Sequence, residues 1–89
     1  MINLSFEKVI SLSKKYASMN DEPWHRVEFL TQIVSDVIRA QGTPTQFTFK
    51  SSTLNGKEIA EICKEIFKDL GITVKIKLKG KTRAVFLVI

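Results

Sequence analysis

Five basic side chains lie close together near the C-terminus, at Lys75, Lys77, Lys79, Lys81 and Arg83. No acidic residue follows Asp69, so nothing in the sequence beyond that point compensates their charge. Residues two apart along a β-strand lie about 6.7 Å from each other on the same side, so lysines at this spacing form a regular row. Such a row can follow a phosphate backbone and release counterions at each contact. The spacing therefore favours a polyanionic ligand, and RNA or single-stranded nucleic acid in particular.

The strand lysines also have an explanation that needs no ligand. An edge strand that exposes lysine is protected against pairing with the edge of another sheet. That explanation accounts less well for Lys81 and Arg83, which continue the run with no acidic residue between them. Lys50 is a further candidate contact since it ends another predicted strand, and Lys14 and Lys15 are additional candidates. We therefore keep both explanations open.

The net charge of +5 comes entirely from the second half of the chain. Residues 46–89 carry nine basic and four acidic side chains, whereas residues 1–45 carry five of each. Such one-sided charge suits a polyanionic partner, although it also aids solubility.

The one region of mixed acid–base character surrounds His25, the only histidine, between Trp24 and Arg26 with Glu22 and Glu28 nearby. Catalysis would require a nucleophile or a second acid or base within hydrogen-bond reach, and the spacing supplies none. We therefore expect His25 to be a surface or boundary residue and the protein not to be an enzyme.

The sequence offers no evident cofactor or metal site. One cysteine, Cys63, and one histidine cannot complete a zinc site, and no glycine-rich phosphate-binding motif is present. Cys63 falls on an apolar stripe, so we expect it to be a small buried hydrophobe. A lone cysteine fits a reducing, cytoplasmic setting. Asn55 and Gly56 open a predicted helix, where they could hold a phosphate on free N–H groups or simply cap the helix.

The hydrophobic periodicity predicts a single α+β domain over residues 1–89, with the order α-α-β-α-β-β. Apolar residues at helical spacing indicate helices over about 5–18, 22–41 and 55–70. In the first of these, the apolar face includes Phe6, Val9, Ile10 and Tyr16. Alternation indicates strands over 45–50 and 73–79, and an apolar run indicates a third strand over 83–89.

The three strands are expected to form a mostly antiparallel sheet in the order 45–50, 83–89, 73–79. The last strand is apolar on both faces, which suits the central position. A three-residue loop over 80–82 would pair Leu78 with Ala84 and place Lys75, Lys77, Lys79 and Arg83 on one face. A two-residue type II′ turn at Gly80-Lys81 would instead put Arg83 on the face of Leu78. We prefer the first register. The two N-terminal helices would either cover the second face of the sheet or extend the helical layer.

Three phenylalanines, Phe47, Phe49 and Phe86, could stack on bases if they were exposed, but their spacing fits a buried face. The alternative function is a protein-interaction module, such as a small inhibitor or adaptor of the type that phages encode. It would dock through Trp24 and Phe29 of the second helix or through a sheet edge. No apolar run reaches the roughly 20 residues that span a bilayer, so no membrane association is expected.

Overall fold

The computed structural model describes residues 2–19 and 25–89, apart from the side chains of residues 78 and 79. It is an α+β fold in the predicted order α-α-β-α-β-β. The helices are α1 (Phe6–Ala17), α2 (His25–Arg39) and α3 (Gly56–Leu70), and the strands are β1 (Gln46–Lys50), β2 (Val74–Lys79) and β3 (Arg83–Val88). Glu22 and Trp24 lie outside the described residues. Within the described ranges, no helix combines the length and apolar character needed to cross a membrane.

The sheet has the predicted strand order, β1-β3-β2, and both pairings are antiparallel. The central position of β3 explains its apolar run, because Ala84, Val85 and Phe86 are all buried between the two neighbouring strands. At the outer edge of β1, Gln32 of α2 donates a hydrogen bond from Nε2 to the carbonyl oxygen of Thr48 at 2.6 Å. The α2 helix therefore occupies part of the β1 edge.

The core is a cluster of phenylalanine rings between the sheet and the helices. Phe47, Phe49 and Phe86 of the sheet are at most 1% exposed. Phe67 of α3 packs on them, with ring centroids 5.0 Å from Phe47 and 5.1 Å from Phe86. All three helices contribute buried residues to this one cluster. The N-terminal helices therefore extend the helical layer on the phenylalanine face of the sheet.

The buried face of α1 differs from the predicted one. Tyr16 is buried, as predicted, and so is Leu12, whereas Phe6 and Ile10 of the predicted face are 80% and 53% exposed. The Tyr16 hydroxyl donates a 2.7 Å hydrogen bond to Oδ2 of Asp69 on α3. Burial, assisted by this hydrogen bond, raises the pKa of Tyr16 above its usual value. Contacts with α2 and α3 set the rotation of α1, and local periodicity carries no information on them.

The α3 helix matches its predicted pattern closely. At its start, the Asn55 side chain accepts a hydrogen bond from the Glu58 N–H, and the Glu58 side chain accepts one from the Asn55 N–H. This reciprocal arrangement is a capping box. At its end, Gly71 adopts the left-handed conformation, with φ of 74°. Ile59, Cys63 and Ile66 lie on the buried stripe between these ends.

Cys63 is fully buried, as predicted, and burial raises the pKa of its thiol. Because the thiolate is the reactive form, we expect iodoacetamide to leave Cys63 unmodified in the folded protein at about pH 8. The same protein unfolded in guanidinium should be alkylated completely over the same time. Mass spectrometry of the two samples measures the difference. Equal alkylation of folded and unfolded protein would contradict the placement of Cys63 in the core.

Candidate nucleic-acid interface

One face of the sheet packs on the helices through its phenylalanines, and the alternate side chains point the opposite way. We call the set of these alternate positions the open face: Gln46, Thr48 and Lys50 of β1, Lys75 of β2, and Arg83, Val85 and Leu87 of β3. Lys50, Lys75 and Arg83 are exposed. The core cluster contains Ala84 and Phe86 but not Val85, which agrees with this division of β3 between two faces.

Two basic side chains stand directly opposite each other on the open face. Lys50 of β1 is the cross-strand partner of Arg83 of β3. Both side chains are exposed, and neither forms an ion pair with a carboxylate in the described part of the chain. Like charges at directly opposed positions of an antiparallel pair are destabilising. The sheet therefore presents concentrated positive charge at this end, and an anion between the two groups would relieve the repulsion.

The register of the β2–β3 hairpin is partly as predicted. Val74 pairs with Val88 and Ile76 with Phe86, as the three-residue loop requires. The pairing then shifts between Ile76 and Leu78, so that Leu78 lies opposite Val85 and Lys79 opposite Ala84. The prediction that Leu78 pairs with Ala84 is therefore wrong. A bulge places two residues of one strand against one of the other, and strict alternation cannot anticipate it.

The shift changes which predicted contact residues share a face. Lys75 lies opposite Leu87, on the open face with Arg83. Lys77 is exposed at the irregularity itself. Lys79 pairs with Ala84, which is a core position of β3, whereas Lys75 pairs with Leu87, which belongs to the open face. The predicted single row is therefore interrupted at Lys77.

The turn of this hairpin is held by backbone hydrogen bonds to two other elements. The Gly56 N–H, at the start of α3, donates to the carbonyl oxygen of Lys81 at 2.9 Å. The Ser51 N–H, just after β1, donates to the carbonyl oxygen of Thr82 at 3.1 Å. These bonds fix the backbone of the turn next to the end of β1. The side chain of Lys81 is exposed there, two residues before Arg83 in the chain.

Gly56 has a role that the sequence did not reveal. A Cβ atom at this position would overlap the carbonyl oxygen of Gly80 and lie 2.8 Å from that of Arg83. Its N–H group is used by Lys81, and the Glu58 N–H is used by the Asn55 side chain. The start of α3 is thus capped by Asn55 and also holds the hairpin turn. The N–H groups of Gly56 and Glu58 are therefore not available to a phosphate.

Lys14 and Lys15 do not join the open face. Both lie on α1, which packs in the helical layer. Nζ of Lys15 is 3.7 Å from Oδ2 of Asp69, so its charge is partly compensated within the fold.

His25 is buried, which corrects its expected surface or boundary position. Its ring stacks on Phe29 with centroids 6.1 Å apart, and its Nε2 lies 3.5 Å from the Thr53 hydroxyl. His25 lines a cavity of about 260 Å³ together with Glu28, Phe29, Lys50 and the loop 51–53. In that loop the Ser51 hydroxyl accepts hydrogen bonds from the Thr53 and Leu54 N–H groups. This hydroxyl therefore stabilises the turn.

Among the described residues, no aromatic side chain lies on the open face. Phe47, Phe49 and Phe86 belong to the core, as their spacing predicted. Phe29 is also buried, so it cannot anchor a partner on the surface of α2. Trp24 lies outside the described residues.

Comparisons of the chain with protein-family models, with curated proteins and with solved structures gave no match.

Proposed function

We propose that this protein is a small binding domain for RNA or single-stranded nucleic acid, and that it grips phosphates through the open face. The observation that carries the proposal is the opposed pair of Lys50 and Arg83, which has no carboxylate partner in the described residues. Lys75 adds a third charge on the same face. Lys77 and Lys81 are exposed nearby and extend the basic surface.

Energetics favours an anion at this position. Removing a cross-strand repulsion and forming charge-assisted hydrogen bonds act in the same direction, and guanidinium groups contact phosphate oxygens in a two-point geometry. The centre of the open face carries Val85, which is buried, and the half-buried Leu87 instead of aromatic rings. Recognition would therefore depend mostly on phosphate contacts, with weak preference for base sequence.

The first test is the salt dependence of binding to a fluorescent single-stranded RNA, measured by anisotropy. If five phosphate contacts form, log K plotted against log salt concentration should slope by about −3.5. The double variant Lys50→Gln/Arg83→Gln removes two of these contacts and should reduce the slope by about 1.4 units. Its thermal stability should not fall, because the variant also removes a repulsion.

A matched control removes the same charge elsewhere. Lys8 and Lys64 are exposed on α1 and α3, in the helical layer. The variant Lys8→Gln/Lys64→Gln should retain the slope of the unmodified protein. A flat salt dependence, or equal weakening in both double variants, would rule out phosphate binding at the open face.

A further inference from the structure

The free edge of β2 lies beside a groove. Because β2 ends the sheet, the outer side of its backbone faces no other strand of that sheet. A groove of about 400 Å³ runs between α3 and the beginning of β2. Its apolar lining includes Phe67, Ile72 and Val74, and two exposed lysines of α3, Lys64 and Lys68, also line it.

The backbone of β2 presents unused hydrogen-bonding groups to this side. The carbonyl oxygen of Thr73 accepts a 3.1 Å hydrogen bond from the Ile89 N–H, so the backbone carbonyl of Thr73 points toward the end of β3. Backbone groups alternate in direction along an antiparallel strand. The peptide groups of Val74 and Ile76 are therefore directed outward. The side chain of Ile76 is 36% exposed at the same edge.

The two edges of the sheet are not equivalent. At β1, Gln32 already occupies the carbonyl oxygen of Thr48. At β2, no described residue outside the sheet makes a hydrogen bond to Val74 or Ile76. Strand addition is therefore favoured at β2.

Charge around the groove is one-sided. On α3, Glu65 and Asp69 contact Arg26 of α2 and Lys15 of α1, so these carboxylates belong to the opposite side of the helix. Glu61 does not line the groove. The lysines at the groove and along β2, namely Lys64, Lys68, Lys75 and Lys77, form no ion pair in the described part of the chain.

We propose that the β2 edge is a docking site for an extended acidic peptide segment of a partner protein, which adds to the sheet as a fourth strand. Its backbone would pair with Val74 and Ile76, and its alternate apolar side chains would enter the groove beside Phe67. Its carboxylates would contact the surrounding lysines. This surface shares Lys75 with the open face, but its groove and the outer backbone edge of β2 lie outside that face. The proposal therefore goes beyond the proposed nucleic-acid function.

Charge also argues against a second copy of this chain as the occupant. Pairing two β2 edges would bring Lys75 and Lys77 of each copy together, and like charges on adjacent strands are destabilising. Exposed lysine on an edge strand is a known defence against such self-pairing. An acidic segment converts that repulsion into attraction.

The test uses a fluorescein-labelled, end-capped peptide of alternating glutamate and valine as the probe, with anisotropy as the readout. We expect saturable binding that weakens when Lys64→Glu/Lys68→Glu reverses the charge at the groove. The single variant Lys8→Glu, which changes an exposed lysine on α1, should bind the peptide almost as the unmodified protein does. A lysine–valine peptide should not bind.

Backbone pairing is tested separately. Ile76→Pro removes an outward N–H, which an edge strand tolerates, and is expected to weaken peptide binding at least about tenfold. In one probe peptide, the N–H groups along one edge of the strand are N-methylated, and in a second peptide those along the other edge. Only the peptide whose methylated edge faces β2 should lose binding. The N-methylated pair decides the question even if the proline variant fails to fold.

Equal binding of both N-methylated peptides, or no effect of the α3 charge reversal, would overturn strand addition at β2. Loss of peptide binding in Lys50→Gln/Arg83→Gln would also overturn it, because the peptide would then occupy the open face as a simple polyanion. The proposed nucleic-acid function is judged independently, by the salt dependence of RNA binding and its change in Lys50→Gln/Arg83→Gln, so either proposal can fail while the other stands.

Discussion

Replacing Phe49 by alanine is expected to lower the free energy of unfolding by about 3–5 kcal/mol. Phe49 is fully buried, and its ring centroid lies 5.5 Å from that of Phe29, 5.9 Å from Phe67 and 5.9 Å from Phe86. The substitution removes apolar contacts with two helices and the central strand at once, and leaves a cavity that a close-packed interior fills poorly. A domain of this length is stabilised by roughly 5–13 kcal/mol, so the loss is a large share.

Urea unfolding followed by circular dichroism measures this effect. Phe6→Ala is the matched control, because the same side chain is removed at a position that is 80% exposed. We expect the control to change stability by no more than about 0.5 kcal/mol. If both variants lost the same stability, the core would not be centred on the sheet phenylalanines.

Gly56→Ala is expected to destabilise the protein by about 1–3 kcal/mol. Within a helix alone, alanine would be favoured over glycine by about 1 kcal/mol. Here the added Cβ overlaps the Gly80 carbonyl oxygen and lies 2.8 Å from the Arg83 carbonyl oxygen. Both neighbours are backbone atoms, so the hairpin turn must move. Its movement would strain the hydrogen bonds that Lys81 and Thr82 accept.

Gly80→Ala provides the comparison on the other side of this contact. A Cβ at Gly80 has the Arg83 Cβ as its nearest neighbour at 3.6 Å, an ordinary contact distance. Gly80 is also absent from the described positive-φ positions, so alanine fits its backbone. We expect no loss of stability there. If Gly56→Ala proved as stable as the unmodified protein, the close seating of the turn on α3 would be wrong.

The Gly56 contact also links fold and site. The contact with Gly56 at the start of α3 fixes the backbone of the turn at Lys81 and Thr82. The hydrogen bond from the Ser51 N–H to the Thr82 carbonyl oxygen holds the same turn against the end of β1. Lys50 and Arg83 lie at this junction. A shifted turn should therefore disturb the basic end of the open face along with stability.

The sequence alone determined the element order, the strand order and the core stripe of α3. These features follow from local periodicity and end signals, such as the Asn55–Glu58 capping box and the apolar run of β3. The burial of Cys63 and of the sheet phenylalanines follows from the same periodicity. Short-range spacing is enough in each case, because each element must bury its apolar side.

Only the tertiary structure decided the rotation of α1, the irregular register at Lys77, the burial of His25 and the role of Gly56. Each depends on residues distant in the chain: Tyr16 on Asp69, His25 on Thr53, and Gly56 on Gly80. Periodicity describes one element at a time and contains no information on which neighbour meets it. For the same reason, the sequence predicted Lys75, Lys77, Lys79 and Arg83 on one face, whereas the pairing with β3 shifts at Lys77 and leaves Lys75 and Arg83 on the open face.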